Sequence, residues 1–86
     1  MPEISRFLGI IIRMRFNDHP PPHFHVQSGG RTATVSIRSL RVLQGNLSPR
    51  VLGLVVEWAA LHQGELLLDW NLAMRQQPLN RIDPLV

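Results

Sequence analysis

The chain is 86 residues long, and its 44% apolar and 17% charged residues are the balance of a folded globular domain. Nine arginines oppose six carboxylates and lysine is absent, so the formal charge is +3. The length excludes multidomain enzymes and dinucleotide-binding folds. The absence of cysteine excludes disulfides, thiolate catalysis and cysteine-ligated zinc.

The beginning of the chain has the alternation of a β-strand. Over residues 8–16, apolar side chains at every second position alternate with a face that becomes cationic at Arg13 and Arg15. Asp18 and His19 follow, and then come three successive prolines, which fix φ and remove amide donors. This pattern predicts a stiff, extended loop after the strand rather than a tight hairpin.

A second strand is predicted to begin at His23. It alternates in the same way, with His23, His25 and Gln27 on one face and apolar residues on the other. Gly29-Gly30 follows directly, and a glycine pair between two strands is typical of a two-residue hairpin turn.

The predicted third strand covers about residues 32–38. Its polar face carries Thr34, Ser36 and Arg38, and its other face is apolar. A short fourth strand over about residues 41–44 is predicted to pair with it.

The second half of the chain has helical periodicity. Ser48 is a favourable N-cap and Pro49 suits the first helical position. Gly64 is predicted to interrupt the helix, and Glu65–Met74 to form a second one. The tail over residues 77–86 is predicted to be extended.

These elements predict an α+β fold, in which an antiparallel sheet of three or four strands is followed by two helices packed on one face. The whole chain is one predicted domain, with the sheet over about 7–46, the helical pair over 48–76 and the tail after it. Trp58 and Trp70 are expected at the interface between sheet and helices.

The face of the sheet that the helices leave uncovered is predicted to be polar and cationic, without a single carboxylate. We expect the three histidines of this region to converge with two arginines of the first strand in one pocket at the sheet edge. The candidate catalytic residues are Arg13, Arg15, His23 and His25, and the candidate binding residues are His19, Gln27, Thr34 and Arg38.

Three functions fit these residue types. Histidines and arginines together suit the cleavage of a phosphodiester without a cofactor, since they supply a base, an acid and a positive charge. The second function is metal binding by His19, His23 and His25. The third is a non-catalytic surface for a protein or nucleic acid, so whether the chain is an enzyme stays open at this point.

Several segments resemble a family of small bacterial proteins known as domain-of-unknown-function family 4160. The segments that carry the resemblance are MPEISRF, GIII, FNDH, PPHFHV, VVEW and IDPL, and PPHFHV is the most specific of them. Ser28 stands where the family often has an aromatic residue, and Leu40 stands where a turn glycine is usual.

The resemblance implies a component of a two-gene toxin–antitoxin module, with the toxin as the candidate role for this chain. It implies a small partner protein encoded next to it and assigns no catalytic residues. RNA is a candidate target on the histidine and arginine chemistry alone. The sequence shows neither an export signal nor a membrane-spanning run, so we expect a cytoplasmic protein without a membrane partner.

Overall fold

The computed structural model describes residues 1–86 and has a five-stranded antiparallel sheet followed by two helices, so the predicted α+β fold is confirmed. Each strand pairs with its neighbour in sequence, in the order β1-β2-β3-β4-β5. The elements are β1 (Glu3–Phe7), β2 (Ile10–Arg13), β3 (His23–Ser28), β4 (Arg31–Ser36), β5 (Val42–Gly45), α1 (Pro49–Leu61) and α2 (Gln63–Met74).

The sheet has one strand more than the alternation predicts, because Glu3–Phe7 form β1 ahead of the predicted first strand, which covers only Ile10–Arg13. Phe7 pairs with Ile10, and Leu8 and Gly9 make the turn between β1 and β2 with φ of 50° and 77°. A turn with two positive φ values is usually formed by Asn-Gly. Because leucine is unusual at the first of these positions, the sequence does not indicate a turn here. The sheet therefore begins at residue 3 rather than at about residue 7.

The turn between β3 and β4 lies at Gly29-Gly30 as predicted, with φ of 58° at Gly29. β4 ends at Ser36 rather than at Arg38, because the chain reverses over the next residues. In that reversal Leu40 has φ of 60°, a left-handed conformation that favours glycine. This explains why a glycine would suit position 40.

The helical half begins as predicted. The hydroxyl of Ser48 accepts a hydrogen bond from the amide of Val51 at 3.2 Å, and Pro49 opens α1. The interruption lies at His62, whose backbone is not helical, and Gly64 belongs to the first turn of α2. Neither helix alone is long and apolar enough to cross a membrane; only the pair, bent by 85° at its junction, has the length and composition.

The core lies between the helices and one face of the sheet, and Trp58 is at its centre. The Trp58 ring is fully buried, with its centroid 5.5 Å from that of Phe7 and 5.9 Å from that of Phe24. Trp70 is also buried, so both tryptophans are core residues as predicted. Phe24 faces inward, and this leaves His25 on the open side of the sheet.

The tail after α2 is docked along β1. The amide of Ile82 donates to the carbonyl of Ile4 at 2.8 Å, and the indole N–H of Trp58 donates to the carbonyl of Asp83 at 2.8 Å. The tail thus covers the outer edge of β1 at Ile4.

Candidate metal centre

Asp18 lies in the loop between β2 and β3, and only 7% of its side chain is exposed. Its Oδ1 accepts a hydrogen bond from the amide of His19 at 2.8 Å, which fixes the carboxylate. Its Oδ2 lies 3.0 Å from Nε2 of His23 and 3.1 Å from Nε2 of His25. One carboxylate oxygen therefore meets two imidazole nitrogens.

The two rings share one side of β3 because they are two residues apart in a strand. Their centroids are 5.3 Å apart, and the His23 ring packs against Trp70 of α2 at 5.2 Å. The side chains of His23 and His25 are 11% and 19% exposed. With Asp18 they form a group whose three ligand atoms all lie within 4.8 Å of one another.

The hydrogen bond of His23 to the loop defines which of its nitrogens is free. Its Nδ1 lies 2.8 Å from the carbonyl oxygen of Pro21, which can only accept, so Nδ1 carries the hydrogen. In the neutral ring the Nε2 lone pair then points at the Asp18 carboxylate, and two acceptors stand 3.0 Å apart. A second ring hydrogen or a metal ion at this contact would remove the repulsion between the two acceptors.

The pKa of Asp18 reflects its contacts with the two histidines. Burial alone would raise the pKa, but hydrogen bonds from the His25 ring and the His19 amide, together with the charge and hydrogen bond of His23, lower it from 3.8 to about 2. Asp18 is therefore a carboxylate at neutral pH, which is the form that binds metal ions.

The loop that carries Asp18 is anchored at both ends. The amide of Asn17 donates to the carbonyl of Ala73 in α2 at 3.1 Å. After the prolines, the carbonyl of Pro22 accepts from the amide of Ile37 at 3.0 Å. Because the prolines fix φ between these anchors, the loop holds Asp18 against the start of β3.

The structure places His19 and His23 differently from the predicted site. His19 is exposed and stays outside the group, so the predicted metal set of His19, His23 and His25 has Asp18 in place of His19. His23 is buried under α2 rather than displayed on the open face, because Trp70 covers it. The spacing Asp-x4-His-x-His is the sequence signal that would have indicated Asp18.

A groove of about 430 Å³ lies on the open face of the sheet, and His25 belongs to both the groove and the metal group. Arg13 is the cross-strand partner of His25, and its Nη1 donates to Oε1 of Gln27 at 2.5 Å. The polar residues that line the groove are Arg13, His25, Gln27, Thr32, Thr34 and Gln44.

The structure does not bring the other predicted residues into this groove. Arg15 is exposed beyond the end of β2, and Arg38 is exposed in the turn after β4. Neither lines the groove. Ser36, expected on the open face, is buried, and its hydroxyl accepts from the amide of Ser39. Ser36 is the cross-strand partner of His23, which is buried as well.

Comparison with protein families adds one finding. The family model of the domain of unknown function DUF4160 matches residues 9–71, which is most of the chain. The chain belongs to the DUF4160 family. The matched region of this DUF4160 protein runs from the β1–β2 turn into α2 and contains all three residues of the metal group. Comparisons with curated proteins and with solved structures gave no match.

Proposed function

We propose that the protein binds one divalent first-row transition metal ion through Asp18 Oδ2, His23 Nε2 and His25 Nε2. The observation that carries this proposal is the meeting of both nitrogens with one oxygen at 3.0 and 3.1 Å. Ligands about 2.1 Å from an ion and at right angles to each other are about 3.0 Å apart, so the spacing is that of neighbouring ligands.

The donor set indicates a site that keeps open positions. Two imidazoles and one carboxylate occupy three positions, and metal sites of this kind in enzymes leave the others to water or substrate. Because His25 also lines the groove, a ligand in the groove has access to the ion. We therefore expect a reactive site rather than a structural one.

Groups outside the ligand set support the same proposal. Metal-bound histidines usually donate their second N–H to a carbonyl or carboxylate, and His23 does so to Pro21. Asp18 is oriented by the amide of His19 through the oxygen that does not face the rings. These contacts hold two of the three ligands in place before any ion binds.

A second candidate function is phosphodiester cleavage without metal, by the chain as the toxin of a toxin–antitoxin module. The observation that favours it is the position of His25, which Asp18 orients and which lies opposite Arg13 in the groove. A histidine base beside an arginine is a suitable pair for this reaction. Cleavage of RNA that persists in EDTA would favour this candidate over the metal-dependent one.

Calorimetric titration of tag-free, EDTA-treated protein with Zn²⁺ or Co²⁺ tests the proposal. We expect one ion per chain, and at least a hundredfold weaker binding after Asp18→Asn or His25→Gln. His19→Gln and His62→Gln are matched controls outside the group and should leave the stoichiometry and affinity unchanged. Equal affinities in all four variants would refute the proposal.

A further inference from the structure

The guanidinium of Arg13 carries a positive charge that no carboxylate in the structure pairs with. Arg13 is partly buried on the open face of the sheet, and its side chain makes one hydrogen bond, to Gln27. The ion pairs of the structure use other cations, and none of them involves Arg13. No carboxylate lines the groove. Since Arg13 makes only one hydrogen bond, its guanidinium has several free N–H donors at the groove.

The strand register places further polar groups in line with Arg13. Arg13 pairs with His25, His25 pairs with Thr34, and Thr34 pairs with Gln44. Strands are about 4.8 Å apart, so this row across β2, β3, β4 and β5 is about 14 Å long. All four residues line the groove.

Gln27 extends the set of donors at the Arg13 end. Its Oε1 accepts from Arg13, and this fixes the amide with the oxygen toward the guanidinium and leaves the NH₂ group as a donor. Its cross-strand partner, Thr32, also lines the groove and adds a hydroxyl. The groove thus offers donors on four strands, and no acidic group is in its lining; the Asp18 carboxylate contacts Nε2 of His25 but does not line the groove.

We propose that this groove binds a phosphate ester, with the phosphate on Arg13 and Gln27 next to His25. The donors exceed what the two oxygens of a carboxylate need, and they suit the three or more oxygens of a phosphate. A volume of about 430 Å³ is within the range of small-ligand sites and admits a nucleotide unit. The uncharged part of the ligand lies along the row toward Thr34 and Gln44.

This inference deepens the proposed function and rests on it, since His25 would place the phosphate beside the metal ion. The shared chemistry is a nucleoside phosphate, which has two sources. It is either a free nucleotide or one nucleotide unit of a single-stranded RNA.

Titration with adenosine monophosphate and with a short single-stranded RNA tests the inference. Arg13→Gln should weaken the binding of both at least tenfold and leave the metal stoichiometry at one. Thr34→Val should weaken it severalfold, and it serves as a second variant if Arg13→Gln does not fold. The control is Arg50→Gln, an exposed arginine on α1 outside the groove, which should change neither affinity.

The outcomes separate the two sources and the two proposals. If RNA binds more tightly than the mononucleotide and both affinities depend on Arg13, the inference is supported with RNA as the source. The reverse order of affinities supports a free nucleotide. Metal binding at one ion per chain with no effect of Arg13→Gln overturns the groove inference alone. Arg13-dependent nucleotide binding by a chain that takes up no metal overturns the proposed function alone.

Discussion

Replacing Asp18 with asparagine in the metal-free protein should remove a pH-dependent part of its stability. The pKa of Asp18 is about 2 in the folded protein, against 3.8 as its usual value. One pKa unit corresponds to about 1.4 kcal/mol, so the carboxylate stabilises the fold by about 2 kcal/mol at neutral pH. Because the folded-state pKa is the lower one, this contribution is complete above about pH 5 and is lost as the pH falls toward 2.

The assay is urea unfolding in EDTA at several pH values between 7 and 2, for the wild type and for Asp18→Asn. The difference between their unfolding free energies should shrink by about 2 kcal/mol between pH 5 and pH 2. Asp83→Asn changes an exposed carboxylate without a side-chain hydrogen bond and is the matched control. A difference that is the same at pH 5 and at pH 2 would show that the two histidines do not hold Asp18 as described.

Three further substitutions test the fold by chemical denaturation. Leu8→Asn should raise the unfolding free energy by about 0.5–1 kcal/mol, because asparagine tolerates the left-handed φ of 50°; no gain relative to Leu61→Asn, an exposed helical control, would contradict this. Gly45→Ala should cost about 2–3 kcal/mol, since its Cβ would lie 2.1 Å from a carbonyl oxygen of β4, and an unchanged stability would refute that contact. Phe24→Ala should cost about 3–5 kcal/mol, and a cost below 1 kcal/mol would place Phe24 outside the core.

The sequence predicts those parts of the fold in which each residue follows the local pattern. β3, the Gly29-Gly30 turn and the start of α1 are where alternation, glycine and the Ser48 cap indicate them. The sequence does not indicate β1, because Leu8 occupies a turn position that normally carries asparagine and the apolar pattern continues through it. The sequence likewise predicts the helix break at Gly64 rather than at His62, since glycine is the usual sequence sign of a helix end.

The candidate site also has a part that the sequence predicts and a part that it does not. Arg13, His25 and Gln27 lie together in the groove because strand alternation and pairing put them there, and both are visible in the sequence. The position of Asp18 depends on the path of a proline loop anchored to α2, which local periodicity does not encode. The burial of His23 depends on a contact with Trp70, which is 47 positions further along the chain.

Anomalous diffraction at the zinc absorption edge from a zinc-loaded crystal shows whether Asp18, His23 and His25 ligate a metal ion. We expect one anomalous peak per chain, about 2.0–2.2 Å from Asp18 Oδ2 and from Nε2 of both histidines. A well-diffracting, zinc-loaded crystal with Asp18 still hydrogen-bonded to both rings and no peak between them would contradict it.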